Sequence, residues 1–343
     1  MPSPNNVIIA SAGSRKTTSI IEDTLDNTDK RILITTYTNE NLDQITSYIV
    51  DKKGCIPSNI TVLSWFSFLL RDGVRPYQNY LLIQERVKSI DYDSKPNLYT
   101  PREDQDYYIN AEGNIYRDRV SDFVCHCNIA CGGLIINRLQ DVYDLIYIDE
   151  VQDLSGWDQD FVESIMRSSS IITLVGDPRQ ATYSTNNSRK NRAHHGNKMI
   201  HWVEDLSKKG LCCVIEKNEC YRCNQHICDF ADELYPDLKR TKSFNTDTTG
   251  HDGVFFIKFD DVMDYVARFN PKVLRWDKRA NTMNLPALNF GASKGLTFDR
   301  VLIFPTNPIK KYIKTKDISQ AGDISKLYVA ITRAKFSVAF VID

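Results

Sequence analysis

One apolar run that ends in two carboxylates constrains the fold of this chain more than any other feature. The run Leu145-Ile146-Tyr147-Ile148 is followed directly by Asp149 and Glu150. Short uninterrupted apolar runs are typical of strands buried in a parallel sheet. Ligand sites of open α/β sheets lie beyond the carboxyl ends of such strands. Two adjacent acids there suit a hard cation and an activated water, which predicts a phosphate-binding segment elsewhere in the chain.

The composition indicates a globular protein without an overall preference for nucleic acid. The 343 residues are enough for two domains, and 42% hydrophobic with 25% charged residues is ordinary for a globular chain. The formal net charge is -1, so any nucleic-acid surface must be local. No apolar run reaches the length of a membrane span, and the N-terminus lacks a signal-peptide layout. We therefore expect a cytoplasmic protein without a membrane partner, whose nine cysteines are reduced thiols.

The N-terminal segment has the layout of a phosphate-binding loop. A short apolar strand, 7–10, runs into a loop and then into a helical pattern; the loop is Ser11-Ala12-Gly13-Ser14-Arg15-Lys16-Thr17-Thr18. In such loops backbone N–H groups cradle the phosphates, the lysine reaches the β/γ oxygens, and the hydroxyl holds Mg²⁺. Two positions depart from the pattern, because Ala10 and Arg15 stand where glycine is usual. An ordinary turn between strand and helix is the alternative interpretation of the loop alone.

Two further predicted strands end in groups that suit single-stranded nucleic acid. The first ends in Thr36-Tyr37-Thr38-Asn39, and the second, 61–68, contains Ser64 and Trp65. Hydroxyls can hold phosphates, and exposed rings can stack on bases. Ordinary strand and core remain the alternative for each stretch. The polar, tyrosine-rich residues 70–120 predict an insertion, and residues 121–140 predict helix.

The rest of the chain predicts a second α/β domain. A buried strand at 171–175 is followed by Gly176-Asp177-Pro178-Arg179-Gln180, in which Gln180 is placed to sense a γ-phosphate. The polar and basic segment 186–198 predicts a linker, so we expect domains at 1–200 and 201–343. Apolar runs in the second half predict strands at 211–215, 254–257, 273–276, 301–304 and 337–342.

These segments, in this order, resemble the superfamily 1A helicases, the UvrD/Rep/PcrA-like group. The resemblance covers nearly the whole chain and rests on seven motifs. They are Ser11–Thr17 (motif I), Thr36–Asn39 (Ia), Asp149-Glu150-Val151-Gln152-Asp153 (II), Val175–Tyr183 (III), Tyr221-Arg222 (IV), Ser293–Leu296 (V) and Tyr328-Val329-Ala330-Ile331-Thr332-Arg333-Ala334 (VI).

The resemblance implies an α/β fold of two tandem RecA-like domains with mainly parallel sheets and ATP in the cleft between them. It implies that Lys16 and Thr17 contact phosphate and Mg²⁺, that Asp149 binds Mg²⁺ and that Glu150 activates water. Arg222 and Arg333 would reach the γ-phosphate, and Gln180 would relay nucleotide state. Single-stranded DNA would be contacted by Tyr37, Thr38, Asn39, Ser64, Trp65, Tyr183, Ser293 and Lys294. The expected activity is ATP-driven 3′-to-5′ translocation on single-stranded DNA or at a forked duplex.

The chain also departs from the pattern of this group. Phe66 stands where histidine is usual, Thr297 replaces a glutamate near the nucleotide sugar, and no glutamine motif for adenine precedes Val7. The interval from Arg222 to Ser293 is short, so we expect the accessory subdomain called 2B to be reduced or absent. Strand separation would then need a partner.

Two other functions stay open from the sequence. Arg15 and Thr297 favour a regulatory or scaffold subunit that binds nucleotide or DNA and turns over slowly. A bare motor core also fits the motor subunit of a nuclease assembly, such as a phage-defence or recombination complex. Two cysteine clusters, 125–131 and 220–228, hint at a metal but match no zinc spacing, so thiols are the expected state.

Overall fold

The computed structural model describes residues 4–82 and 86–342, which form two compact units. The first unit comprises Met1–Ile9, Thr17–Pro178 and Tyr183–Ile215, and the second comprises Ala10–Lys16, Arg179–Thr182 and Glu216–Asp343. The sequence places the main division after residue 200, whereas the units divide after Ile215. The helix Met199–Lys208 explains the difference, because its Trp202 and Leu206 are buried in the core of the first unit.

Apolar runs in the first unit form strands where the sequence predicts them, together with two very short ones, but two predictions are corrected. The predicted strand 61–68 ends at Ser64 and continues as the short helix Trp65–Phe68, and the strand predicted at 211–215 for the second domain belongs to the sheet of the first unit. Its strands are β1 (Asn6–Ala10), β2 (Ile32–Thr36), β3 (Ile60–Ser64), β4 (Ile90–Asp91), β5 (Ile115–Tyr116), β6 (Leu145–Ile148), β7 (Ile171–Gly176) and β8 (Cys213–Lys217). Its helices are α1 (Lys16–Asp26), α2 (Asn39–Lys53), α3 (Trp65–Phe68), α4 (Val120–Ala130), α5 (Leu134–Val142), α6 (Trp157–Met166) and α7 (Met199–Lys208).

The six-stranded sheet of the first unit has the order β3-β2-β6-β7-β1-β8. The pairs β3–β2, β2–β6, β6–β7 and β7–β1 are parallel. All five residues of β2 are buried, as expected for the interior of a parallel sheet. Because parallel strands end at the same edge, Thr36, Ser64, Ile148 and Gly176 all lie along one side of the sheet. The motif residues of this unit follow these strand ends.

The predicted insertion is an ordered region of the first unit. It contains a π-helical turn, Leu69–Val74, and the parallel pair β4–β5. Tyr108 and Ile115 of the insertion are buried in the same core as α4 and α6. Residues 121–140 are helical as predicted, in the form of α4 and α5. Among the described residues no single helix is long and apolar enough to cross a membrane. The segments 117–130 and 134–142 reach that length and apolar composition only when taken together, and they are bent by 102° relative to each other.

The second unit is built on a five-stranded parallel sheet of order β11-β15-β14-β12-β13. Its strands are β9 (Glu219–Cys220), β10 (Lys242–Ser243), β11 (Gly253–Lys258), β12 (Lys272–Arg275), β13 (Ala287–Asn289), β14 (Phe298–Phe304) and β15 (Ala334–Ile342). Its helices are α8 (Gln225–Asp232), α9 (Val262–Phe269), α10 (Asn307–Thr315) and α11 (Ile324–Ile331). The predicted fold class, α/β with parallel sheets in two tandem units, is confirmed.

Candidate functional site

The phosphate-loop residues Ala10–Lys16 pack with the segment around β9 in the second unit. The Ser11 N–H donates to the Lys217 carbonyl at 3.0 Å, and the Tyr221 N–H donates to the Gly13 carbonyl at 2.9 Å. Gly13 has φ 75°, and a Cβ added there would lie 2.8 Å from both Arg222 Cβ and Cys220 Sγ. Gly13 is therefore required both by the left-handed backbone and by the closeness of the neighbouring chain.

Arg15 keeps the loop on a path that glycine usually follows. Its φ is 59°, in the left-handed region, which costs a non-glycine residue about 1–2 kcal/mol. The exposed guanidinium lies 4.4 Å from the centre of the Tyr221 ring, an attractive cation–π arrangement. The departure from glycine thus adds backbone strain, and the contact with Tyr221 offsets part of it.

A hydroxyl and a carboxylate meet at the ends of α1 and β6. Thr17 Oγ1 donates to Asp149 Oδ2 at 2.7 Å, and Asp149 is 1% exposed. Its backbone is fixed by the bond from the Asp149 N–H to the Thr35 carbonyl at 2.9 Å. A hydroxyl beside a carboxylate is the oxygen donor set that Mg²⁺ takes together with substrate phosphates. Thr17 and Asp149 therefore fit the Mg²⁺ of a Mg²⁺–nucleotide. In the loop itself, the buried Ser14 Oγ has no hydrogen-bond partner among the described residues, which fits a loop that wraps an anion.

Glu150 has a strained backbone conformation, and a neighbouring glutamine binds its carboxylate. Its φ is 58°, a conformation that non-glycine residues adopt mainly at functional sites. Gln152 Nε2 donates to Glu150 Oε2, and Gln152 Oε1 accepts the Asp177 N–H at 3.1 Å. A Cβ at Gly176 would lie 2.7 Å from Val151 and would overlap Gln152, so glycine is needed there. Gln152 therefore orients Glu150 against the end of β7.

The sequence missed the role of Gln152. The residue was visible within the acidic motif, but no function was given to it. The sequence does contain a signal for this role: a glutamine, Gln152, follows the two acids, and a glycine, Gly176, ends the next strand of the sheet. Only the folded chain shows that the two meet.

Two arginines and a glutamine meet at the end of α11 in the second unit. Arg222 Nη1 donates to the Thr332 carbonyl at 3.1 Å. Arg333 is 2% exposed; its Nε donates to the Val329 carbonyl and its Nη2 to Gln180 Oε1, both at 3.1 Å. The structure thus brings Gln180 and Arg333 into direct contact, with Arg222 bound to the residue before Arg333. Their roles at a γ-phosphate stay predictions.

Arg179 is a further residue that sequence reasoning left without a role. It is 3% exposed, and its Nη1 lies 3.1 Å from Thr241 Oγ1, 3.2 Å from the Tyr328 hydroxyl and 3.4 Å from Asp232 Oδ1. These bonds attach the segment before Gln180 firmly to the second unit. Arg179 therefore supports the position of Gln180.

A row of aromatic rings follows the ends of β2 and β3 in the first unit. It comprises Tyr183, Tyr37, Phe66 and Tyr92, with successive ring centres 6.3, 5.9 and 5.8 Å apart. Tyr183 and Tyr92 are 41% and 56% exposed. Burial raises the pKa of the half-buried Tyr37, so its hydroxyl stays protonated and donates to the Ser184 carbonyl at 3.3 Å. We call these four residues the aromatic row; the sequence predicted Tyr37 and Tyr183 for nucleic acid but not Phe66 or Tyr92.

The predicted hydroxyls at the same strand ends cap helices. Thr38 Oγ1 accepts the Asn41 N–H at 3.3 Å at the start of α2, and Ser64 Oγ accepts the Ser67 N–H at 3.2 Å at the start of α3. Asn39, the first residue of α2, is exposed. Such caps satisfy backbone donors that a helix leaves unpaired. The nucleic-acid contacts of these three residues stay predictions.

Two of the predicted nucleic-acid residues are corrected by the structure. Trp65 is 1% exposed and donates its indole N–H to Asp158 Oδ1 at 2.8 Å. A ring without an exposed face cannot stack on a base, so Trp65 is a core residue. Ser293 is completely buried, and its hydroxyl donates to the Phe290 carbonyl at 2.7 Å, which leaves it no surface for a ligand. Lys294 is also buried, at 8% exposure, and its predicted contact stays a prediction.

The cysteines of the two clusters lie among the described residues, most of them buried. All nine cysteines are free, and Cys220, Cys223 and Cys228 are buried in the core of the second unit. Within residues 4–82 and 86–342, no group of three or more histidine, cysteine or acidic side chains is arranged to hold a metal ion.

The parallel sheets of the two units are those of the RecA-like α/β fold. The profile of the viral superfamily 1 RNA helicase core domain matches residues 83–342, and the chain belongs to this family. The resemblance to superfamily 1 helicases is thereby confirmed at the level of the superfamily. The UvrD/Rep/PcrA-like subgroup stays a prediction.

Solved structures agree with this fold. The crystal structure of arterivirus nonstructural protein 10, a helicase, is similar with a TM-score of 0.52 and 13% identity, over 99% of this chain and 60% of that one. A complex of the same arterivirus protein with DNA gives a TM-score of 0.49 and 14% identity, over 98% of this chain and 60% of that one. The chain thus spans about three fifths of the length of these proteins. Comparison with curated protein sequences found no match.

Proposed function

We propose that this chain is an ATP-hydrolysing motor that moves along single-stranded nucleic acid. Membership in a helicase core family supports nucleotide-driven action on nucleic acid. The observation that carries the proposal is the pairing of Thr17 with Asp149 at 2.7 Å, next to a Glu150 that Gln152 orients. A phosphate loop alone would bind nucleotide, whereas an oriented glutamate beside it can also activate water.

The roles of the residues follow from the chemistry of phosphoryl transfer. A bound Mg²⁺ would supply positive charge that offsets the negative charge of the phosphates. Lys16 and Thr17 would hold the phosphates and the ion, with Asp149 as the carboxylate ligand. Glu150 accepts a proton from the attacking water. The proposed role of Arg222 and Arg333 is to supply positive charge to the transferring phosphoryl group, and the bond between Arg333 and Gln180 couples that charge to the residue proposed to relay nucleotide state.

The proposed substrate is single-stranded DNA, and the proposed direction is 3′-to-5′. Both rest on the resemblance of the Gly-Asp-Pro-Arg-Gln and Tyr-Val-Ala-Ile-Thr-Arg-Ala segments to the UvrD/Rep/PcrA-like group. The aromatic row suits unpaired bases of either DNA or RNA, because every base has a face on which a ring can stack. The similar arterivirus protein is a helicase, and the matching family is described as an RNA helicase core. RNA is therefore the substrate that must be compared directly with DNA.

The first experiment measures steady-state ATP hydrolysis with and without single-stranded DNA or RNA. We expect stimulation of the wild type and a loss of about 10²–10⁴-fold in kcat for Glu150→Gln, with nucleotide binding retained. Lys16→Ala should instead weaken nucleotide binding. Glu204→Gln, which changes an exposed glutamate on α7, is the matched control. Wild-type turnover no faster than that of Glu150→Gln, with nucleotide bound, would support the scaffold function instead.

The second experiment measures direction. A motor that moves 3′-to-5′ displaces streptavidin from the 5′ end of a biotinylated oligonucleotide in an ATP-dependent way and leaves a 3′ block in place. Displacement from the 3′ end alone would remove the chain from the UvrD/Rep/PcrA-like group while preserving the proposed motor activity.

We also propose that a protein partner, such as a nuclease subunit, completes the assembly. This proposal is supported by the second unit, in which the described residues between Arg222 and Ser293 build its own sheet and cores. A separate strand-separating body would then come from a partner. Co-purification of the tagged chain from its native source, followed by identification of bound proteins, tests this proposal.

A further inference from the structure

A large cavity opens in the first unit between the insertion and the loop that follows the aromatic row. Its volume is about 910 Å³, within the range that binds nucleotide-sized ligands. Lys95 and Tyr99 of the insertion form one wall, and Arg189 and Lys190 form another. In the sequence these two segments are about ninety residues apart, and each alone is typical of solvated surface. In the folded chain the two segments line the same cavity.

The cavity is positively charged although the chain as a whole is not. Four cationic side chains line it, Lys95, Arg119, Arg189 and Lys190, against one carboxylate, Asp118. Asp118 is already bonded to Arg117 at 3.1 Å, and Lys190 pairs with Asp160 at 3.3 Å. Lys95 and Arg189 are exposed. A local excess of positive charge in a chain of net charge -1 attracts a polyanion to this place.

Aromatic side chains accompany these charges. The Lys190 ammonium lies 4.2 Å from the centre of the Trp157 ring, and the Arg119 guanidinium lies 3.8 Å from that of Tyr107. Tyr99 is 93% exposed, and its neighbour Leu98 is 76% exposed. Large rings left in water beside fixed cations are suited to stacking on bases whose phosphates those cations bind.

The cavity continues the aromatic row. The Asp118 carboxylate accepts the Asn187 side-chain amide at 3.0 Å, which joins the insertion to the loop at the cavity wall. Tyr92 of the aromatic row is close in sequence to Lys95 of the cavity wall, and Tyr183 is close to Asn187, so the row and the cavity are built from the same two chain segments. Arg117, the residue before Asp118, acts electrostatically on the hydroxyls of both Tyr37 and Tyr92.

We propose that this cavity is a second contact for single-stranded nucleic acid, with phosphates on Lys95 and Arg189 and a base on Tyr99. The choice of nucleic acid as ligand rests on the proposed function. An acidic protein segment is the competing ligand, but it would use the charges alone. Exposed Tyr99 and the continuity with the aromatic row favour the nucleic-acid strand.

The test measures binding of a fluorescent oligothymidylate by anisotropy between about 50 and about 200 mM salt. For Lys95→Ala/Arg189→Ala we expect the slope of log affinity against log salt to fall by about 1.4, since each lost phosphate contact removes about 0.7. Tyr99→Ala should weaken binding about five-fold or more and leave the slope unchanged. The control is Lys52→Ala/Lys53→Ala, which removes the same charge from the end of α2, away from the cavity lining.

The outcomes separate this proposal from the proposed function. An unchanged slope and affinity in the cavity variants, with binding still lost in Tyr37→Ala, would overturn the second contact while leaving the motor intact. Reduced binding in the cavity variants, with ATP hydrolysis that nucleic acid does not stimulate, would support the contact and reject the motor. Polyglutamate that binds as tightly as the oligothymidylate, and equally well to Tyr99→Ala, would identify an acidic protein segment and overturn the proposal.

Discussion

At the scale of single residues, Arg15 is the departure in the predicted phosphate loop whose cost can be weighed directly. Two opposing effects act there. The left-handed backbone at φ 59° costs about 1–2 kcal/mol, while the contact with the Tyr221 ring returns about 0.5–1 kcal/mol at an exposed position. The contact offsets about half of the strain, so the loop tolerates arginine where glycine is usual.

Replacing Arg15 by glycine tests this balance. We expect Arg15→Gly to change the free energy of unfolding by less than about 1 kcal/mol, because relief of strain is offset by the greater entropy of glycine in the unfolded chain. The kcat/KM for ATP should stay within about threefold of wild type, a range below about 1 kcal/mol. Urea denaturation and steady-state hydrolysis measure the two quantities. A rise of several tens of fold in turnover would mean that Arg15 blocks the site, in favour of the scaffold function.

Gln152 gives a second prediction at this scale. Gln152→Leu removes the bond to Glu150 and leaves the Asp177 N–H without its acceptor. We expect kcat to fall roughly ten-fold or more, since a hydrogen bond to a charged group contributes about 1.5–3 kcal/mol. The KM for ATP should change little, because Gln152 orients Glu150 rather than the phosphates.

A matched buried variant distinguishes positioning from a loss of stability. Gln159→Leu is this control, because Gln159 is equally buried and its amide donates to backbone carbonyls. A loss of kcat confined to Gln152→Leu, with the KM for ATP retained, would support positioning of Glu150. Equal losses of kcat in both variants would assign Gln152 a purely structural role.

At the scale of elements, the sequence predicted the long strands and missed the short ones. Apolar runs such as Leu145–Ile148 identify buried parallel strands because both faces must be apolar. Strands of two or three residues, such as β9, β10 and β13, carry no such signal, since their pairing depends on what lies beside them. For the same reason the aromatic Trp65 was taken for a binding surface: sequence shows a ring but not which side of the sheet covers it.

The histidine beside β11 in the second unit gives a pH prediction. His251 is stacked between Phe255 and Phe269, with ring centres 3.9 and 3.8 Å away. Its pKa is lowered by burial and then by Arg300 and Arg268, while Asp252 acts weakly in the opposite sense. Tyr265 also faces it and exchanges a hydrogen bond at 2.9 Å. The folded protein therefore disfavours the protonated imidazole.

The sign of the effect on stability follows from linkage. Because the pKa is lower in the folded protein, the unfolded chain binds the proton first, and stability falls as pH decreases below about 6.5. His251→Phe should flatten this dependence in urea midpoints measured between about pH 8 and about pH 5. The control is His201→Gln, an exposed histidine on α7. An unchanged slope in His251→Phe would show that other groups cause the acid sensitivity.

At the scale of the whole molecule, the residues between Arg222 and Ser293 build the second unit itself, which limits its capacity to separate the strands of a duplex. Among its described residues, β11, β12 and β13 belong to the five-stranded sheet. Helices α8 and α9 bury Ile227 and Val262 in the two cores of this unit. These elements are committed to the unit itself, so the interval supplies no separate body to hold the strands of a duplex apart.

We therefore expect the chain to translocate better than it unwinds. In the presence of ATP it should displace streptavidin from a biotinylated single strand, because that step needs only nucleotide-driven movement along one strand. On a forked duplex of equal single-stranded length it should release little product, since nothing in the interval holds the second strand away from the first. Glu150→Gln is the control for both reactions and should abolish any ATP-dependent signal. Processive unwinding of the fork by the isolated chain would contradict the prediction and would locate a strand-separating surface elsewhere, with the insertion and its positively charged cavity as the first place to test by Lys95→Ala/Arg189→Ala.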